Sequence, residues 1–556
     1  MTTLHTPTDA AAAGAPSGTS PALANVASWV TTSDHKRIGR IFVSLSMLML
    51  LGLAGLSAVL GFDRVDRTEN FLDIEVLGQL FSLARVGFIF MVMIPMMLGF
   101  AISIVPLQLG ARSMTFPRAA ALGLWTWLTG SGIVIASYAQ NGGPGGGDAA
   151  GVDLFLAGLG LVVIGLVTAA ASLATTVLTS RAPGMTLDRV PPFAWSALVL
   201  SVAIIVTMPV MLAALVYIYV DHRYGGRQSL EAGGLGGNAI YPWIRAALSQ
   251  PLTFIYALPV LGFVAEVVPV FARRRTVLRF AVLIGIGVLA TASLTGITQV
   301  DHTIGEWGSL SNGDRFKDLV DYAFFNLVPV LGLLVLMGAV TLTLLTGLKA
   351  RSVRLEPPLL FGLASAVLLT HALVAHLLVP IEDLHLAGSV YEEGVFTFVV
   401  YSVVLAGLGA VSYWSQKFRG RQLPRIPLML VALGALGAAV LASVPYLISG
   451  FNNQPGLFGV SRAEGLVIGW NHEAAPELLN TLTGVGHGLM ALTVLGFIAL
   501  TQRAYAKGPL AGDDPWNAQT LEWATSSPPP DNNFSELATV SSPEPLTDLK
   551  PAGSDA

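Results

Sequence analysis

Nine histidines and no cysteine set the metal chemistry open to this chain of 556 residues. Without thiolates, iron–sulfur clusters, thiolate zinc sites, disulfides and cysteine nucleophiles are excluded. Imidazole remains, and it suits iron and copper. His371 and His376, in LLTHALVAHLLV, stand five residues apart. At 3.6 residues per turn that is about 140° around a helix, so they do not share a face. A chelating pair of the His-Glu-x-x-His kind is not present. His487 lies in GVGHGLMAL, among small residues where helices could approach closely. The three histidines read first as hydrogen-bonded packing residues, with a rebuilt bis-histidine haem site as the alternative. Arg85, in LFSLARVG, and the adjacent Glu392 and Glu393, in SVYEEGVF, carry charge within apolar surroundings. The stretch NGGPGGGD lacks the Lys-Ser/Thr of a phosphate-cradling loop and reads as an interhelical connection.

The elements that position these groups follow from composition. Hydrophobic residues make up 53% and charged residues 12%, with a mean hydropathy of +0.67. A soluble domain carries about 25% charge, so the chain reads as a polytopic membrane protein. A helix needs roughly 20 apolar residues to cross a bilayer. Such runs fall near 38–61, 78–107, 119–139, 152–178, 193–220, 246–272, 277–300, 322–348, 358–381, 394–415, 427–449 and 479–502. They do not alternate polar and apolar residues as barrel strands do. The expected fold is an all-α bundle of twelve transmembrane helices. Residues 1–27 read as a disordered tail, 28–506 as the membrane domain, and 507–556 as an extended Pro/Ser-rich tail. The formal charge of −4 and pI near 6.1 argue against nucleic acid as a partner. The lipid bilayer is the partner that composition implies.

Loop charge sets the orientation. Arg112 and Arg118 follow the second span, Arg181 and Arg189 the fourth, and Arg273, Arg274, Arg275 and Arg279 the sixth. Lys349, Arg351 and Arg354 follow the eighth, and Lys417, Arg419, Arg421 and Arg425 the tenth. Loops after odd-numbered spans are acidic or glycine-rich. Both termini are therefore expected in the cytoplasm of a multi-pass cell-membrane protein.

Several strings are family-specific. TTSDHKRIGRIF at 31–42, PLQLGARSMTFPR at 106–118 and RAPGMTLDRVPPFAW at 181–195 resemble cytochrome c oxidase subunit I, the catalytic subunit of haem–copper oxidases. So do FIYALPVLGFVAEVVPVFARR at 254–274 and DPWNAQTLEWATSSPPPDNNF at 514–534. The resemblance runs from about residue 28 to 534 and implies the family's twelve-helix fold. It also implies aerobic respiration, with two haems and one copper held by histidines, proton translocation, and partner membrane subunits of the oxidase type.

The ligand positions depart from that pattern. Ala84 stands where the second helix should carry a haem-ligating His. In QPLTF, Gln250 replaces a copper ligand, Leu252 the proton-gating Glu, and Phe254 the cross-linked Tyr. Val300 and Asp301 fall where the seventh helix should carry a His pair, with only His302 near. His385 matches an upstream family His, but Glu393 and Val395 fall at the His-x-His of the tenth helix. Ser113 and Ala119, Ala120 and Ala121 fall at the proton-entry positions. The arginines that clamp the haem propionates are missing from SGFNNQPGLF. TGLK at 346–349 resembles the second proton path, which makes Lys349 a candidate remnant. The alternative is a lysine snorkelling to the interface. Since all six ligand positions are replaced, no cofactor, metal site or catalytic residue is expected.

Three functions are compatible with this pattern. The first is a haem- and copper-free subunit or scaffold. The second is a terminal oxidase subunit that reduces oxygen with proton translocation. The third is a small-molecule or ion pathway through space left by the haems. Arg85 would cost roughly 2.5–3.5 kcal/mol at the centre of a bilayer, so a partner is expected. In the resembled fold the second and tenth helices face each other across the low-spin haem, which points to Arg85 pairing with Glu392 or Glu393. The alternative has Arg85 at the aqueous boundary and both acids at a helix start. The charge pattern predicts that reporter fusions at Gly145 and Arg274 report opposite sides of the membrane, periplasmic and cytoplasmic. Both on one side would refute twelve spans.

Overall fold

The computed structural model describes residues 21–65, 72–144, 147–225, 244–298, 300–306, 312–452, 454, 456, 477–534, 536 and 539–549. Gly145 lies outside them, as do residues 1–20 of the expected N-terminal tail. Twelve helices among the described residues are long and apolar enough to cross a membrane. They are His35–Asp63, Val76–Gln108, Pro117–Ala139, Ala149–Thr179, Pro192–Gly225, Leu252–Ala272, Arg279–Gly296, Gly313–Lys349, Pro357–His376, Val390–Arg419, Arg425–Gly450 and Glu477–Lys507.

Several boundaries differ from the hydropathy reading, four of them at local turns. The sixth span starts at Leu252 rather than 246, because the chain turns at Ser249–Pro251. The seventh ends at Gly296, after a 3-10 turn over Ala290–Gly296. The eighth starts at Gly313, because a polar amphipathic segment runs into it through a π-turn at Ala323–Leu327. The ninth ends at His376, where the chain turns to pair Ile381 with Ile304. At the N-terminus, Pro21–Val30 is helical. Trp29 lies under the guanidinium groups of Arg37 and Arg40, and Trp125 Nε1 donates to Val30 O at 3.1 Å.

Three spans form the centre. The most apolar stretches of the second and sixth are 100% buried and that of the tenth is 94% buried, against 33–61% for the other nine. A helix that is apolar all round belongs inside a bundle, and these three are. The outer helices seal by close backbone contact. A Cβ on Gly130 would lie 2.7 Å from Gly158 O, and one on Gly165 2.5 Å from Trp127 N. Only glycine lets the third and fourth spans approach this closely, which is how helices associate where apolar surface gains nothing over lipid.

One end of the bundle is closed by the C-terminal segment. Lys36 Nζ donates to Asn533 Oδ1 at 2.9 Å, and Asn533 Nδ2 to Ala111 O at 2.8 Å. Val540 N donates to Pro183 O at 2.9 Å, and Gln519 Nε2 to Arg274 O at 3.0 Å. The loops after the second, fourth and sixth spans therefore share an end. Among the described residues the segment is a run of bends and turns, with short helical turns at Leu521–Ala524 and Pro545–Leu549.

Lys417 anchors it. This side chain is fully buried, and its Nζ donates to Asp513 O at 2.9 Å, Thr525 O at 2.6 Å and Ser527 Oγ at 3.1 Å. Hydrogen bonds from a charged group contribute about 1.5–3 kcal/mol, and orphaned acceptors add a desolvation cost. Lys417→Met is therefore expected to destabilise the protein by about 2–4 kcal/mol, read by unfolding in detergent. An unchanged midpoint would show that the segment is not held this way.

Candidate functional site

The central second and tenth spans bring Arg85 and Glu393 together. Arg85 Nη1 lies 2.5 Å from Glu393 Oε1, and both residues are 7% exposed. Arg85 Nε donates to Leu248 O at 3.0 Å, and its guanidinium lies 4.4 Å from the Phe396 ring centroid. The partner is Glu393; Glu392, one residue earlier, faces a different cavity. Local structure explains the aim. Arg85 sits just before a buried π-helical stretch, Phe88–Met93, which rotates the rest of the second span. Glu393 lies in the first turn of the tenth span, which Ser389 caps by accepting from Tyr391 N.

Around this pair lies a cavity of about 60 Å³. Ala84, Arg85, Glu393, Tyr401, Tyr446 and His487 are among its lining residues. The Tyr401 hydroxyl and His487 Nδ1 are 2.5 Å apart, and the Arg64 guanidinium lies 5.4 Å from the Tyr446 ring centroid. Alanine offers no ligand to iron, and the space is far below the roughly 300–1,000 Å³ of a small-molecule pocket. The residues at this position do not fit a haem.

A second cavity, about 410 Å³, lies where the sixth, seventh, ninth and tenth spans meet at the end away from the C-terminal segment. Gln250, Val300, Asp301, His302, His376 and Glu392 are among its lining residues. Three of the expected copper positions thus share one cavity, but as an amide, an alkyl group and a carboxylate. Among the described residues, neither ring nitrogen of the buried His376 has a hydrogen-bond partner, nor has Gln250 Nε2. Phe254 packs edge-on against His376, with centroids 5.3 Å apart. No group of three or more His, Cys, Asp or Glu among the described residues could hold a metal ion. This donor set does not fit the family's copper.

The other candidates scatter. Val395 is fully buried and lines neither cavity. His371 is exposed, with Nδ1 2.8 Å from Val367 O. It shares no cavity with His376 or His487 among the described residues, and those two line different ones. His385 and Ser113 are exposed. Lys349 is exposed in the last turn of the eighth span and lines none of the described cavities. Arg64, Tyr401 and Glu266 were not singled out by the sequence. Glu266, a lone acid in the apolar run LGFVAEVVPV, was the detectable one.

Comparison with known proteins accords with this fold. The family profile described as cytochrome c and quinol oxidase polypeptide I matches residues 37–523. A putative cytochrome c oxidase subunit 1-beta of Streptomyces avermitilis is 30% identical, over 94% of this chain and 92% of that protein. Cytochrome c oxidase subunit 1 of Corynebacterium glutamicum is 28% identical, over 94% and 88%. A haem–copper terminal oxidase dimer solved by cryo-EM superposes with a TM-score of 0.63 at 15% identity, covering 85% of this chain and 84% of that one. At that identity the likeness concerns the fold.

The ion pair has a measurable signature. Removing one member of a buried pair typically costs about 3–5 kcal/mol, because the other charge is left uncompensated. Arg85→Met is expected to destabilise by that amount, and adding Glu393→Gln to recover most of it. Glu392→Gln in place of Glu393→Gln should recover little. A small loss for Arg85→Met alone would place the guanidinium in water.

Proposed function

The chain belongs to the cytochrome c and quinol oxidase polypeptide I family, and we propose that it serves as a haem- and copper-free subunit or scaffold of a respiratory membrane complex. The observation that carries this reading is the Arg85–Glu393 pair beside Ala84. A guanidinium, a carboxylate and aromatic rings surround the position where the family ligates its low-spin haem. At the copper position, Gln250, Val300 and Asp301 supply no imidazole. The bundle and the segment that closes it are retained, so the surfaces for partner subunits of the oxidase type remain available. Fold alone does not carry the activity when the site's donors are replaced. The charge of the loops supports an orientation with both termini in the cytoplasm.

One observation favours a second reading. The cavity of about 410 Å³ is within the size range of small-molecule sites, and Gln250, Asp301, His302, His376 and Glu392 bring polar groups to its wall. A small polar solute held there would make the protein a binding or transport component.

A reduced-minus-oxidised spectrum of the purified protein, with copper analysis, tests the proposal. The expected result is no haem bands, no stoichiometric copper, and no oxygen consumption with reduced cytochrome c or quinol. Haem bands with stoichiometric copper, or turnover by protein free of any other oxidase, would overturn it.

A further inference from the structure

Two buried carboxyl groups at the closed end of the bundle take no part in the reading above. Glu266 lies in the sixth span and is 4% exposed; Glu522 lies in the C-terminal segment and is fully buried. Gln108, at the end of the second span, joins them. Its Nε2 donates to Glu266 Oε1 at 2.5 Å and to Glu522 Oε1 at 3.2 Å. Phe193 N donates to Glu266 Oε2 at 3.4 Å, the Thr520 hydroxyl to Glu266 Oε1 at 3.4 Å, and Trp414 Nε1 to Glu522 Oε1 at 3.2 Å.

No cation among the described residues forms an ion pair with either acid. The nearby cations, Arg279 and Lys417, make their hydrogen bonds elsewhere and act on the acids only at a distance. Arg279 donates to Asp188 O and Val190 O, and Lys417 to carbonyls of the C-terminal segment. The other ionisable groups close by are Tyr413 and Asp514, with Asp188 and Glu544 beyond Arg279. None of these is a cation.

Two ionised carboxylates bonded to one amide nitrogen would place a double negative charge in an apolar interior. Like charges so close do not both ionise, and an uncompensated buried ion costs several kcal/mol. The hydrogen-bond count agrees. Among the described residues, Glu522 Oε2 and Gln108 Oε1 are buried oxygens without a donor. One further hydrogen in this cluster would satisfy one of them and remove one charge.

We propose that Glu266 and Glu522 hold one proton between them, and that this shared proton fixes the C-terminal segment to the bundle. The ligand of the site is the proton itself. Losing it sets two negative charges against each other across the joint between the sixth span and the segment. Docking therefore weakens as pH rises. The folded form binds one more proton than the released form, so the docking equilibrium changes at most about tenfold per pH unit.

The full-length protein in nanodiscs allows the test. The chain has no cysteine, so a single one can report release. Ala518, 1% exposed in the docked segment, is replaced with little change in volume by A518C. Its maleimide labelling rate is measured across pH in the otherwise unchanged protein, in E522Q and in E266Q. The ratio of the unchanged protein to each variant cancels the thiol's own titration. That ratio is expected to rise with pH toward about tenfold per unit, because a neutral amide cannot lose the proton. Infrared spectra should show a carboxylic-acid carbonyl band that the E266Q/E522Q double variant lacks. A flat ratio with both single variants, or the same carboxylic-acid band in the double variant, overturns the proposal.

Discussion

A guanidinium inside an apolar helix bundle must keep a counter-charge at contact distance. Arg85 and Glu393 meet that requirement at 2.5 Å, 308 residues apart in sequence. The constraint fixes the rotation of two central helices relative to each other, because both side chains are too short to meet from any other faces. It also fixes what fills the space between them. Phe396 covers the guanidinium, and Ala84 gives it room. In the family's pattern the same two helices are bridged by iron and a macrocycle. Here they are bridged by a charge pair, and the scaffold around them is kept.

Scaffold and centre separate because different physics holds each. The outer helices seal through glycine contacts such as Gly130 against Gly158, which depend on backbone shape and not on any cofactor. Lys36 and Lys417 of the bundle donate to Asn533 Oδ1 and Thr525 O of the C-terminal segment, and Asn533 Nδ2 donates back to Ala111 O. None of these contacts passes through the ligand positions. A chain can therefore lose its donors one after another and still pack as a twelve-helix bundle.

Sequence reading was strong where the bilayer dictates the answer. Span lengths follow from membrane thickness, so twelve runs were legible, and errors arose where local turns cut or extended them, as at Pro251 and Ala323–Leu327. Arg85 was legible as a residue in need of a partner because its burial is costly. The choice of Glu393 over Glu392 was not, since it depends on a helix rotation set by the π-stretch and the Ser389 cap. Lys349 carried a motif whose setting had changed, and a motif without its cavity positions nothing. The Tyr401–His487 contact and the Glu266–Gln108–Glu522 cluster join residues far apart in sequence, so spacing holds no trace of them.

The two cavities end in different states, and the difference follows from polarity. Beside Arg85 the charges neutralise each other and aromatic rings fill the remaining volume, leaving about 60 Å³, room for a few waters at most. Around Gln250 and His376 the side chains are polar but do not satisfy one another, and about 410 Å³ stays open. Apolar walls can close on each other without loss. Orphaned polar walls cannot, because each unpaired donor or acceptor costs about 1–3 kcal/mol unless water or a solute meets it. The first region is filled by its own side chains. The second keeps unmet hydrogen-bonding capacity inside a fixed frame, which is the condition from which a binding site can arise.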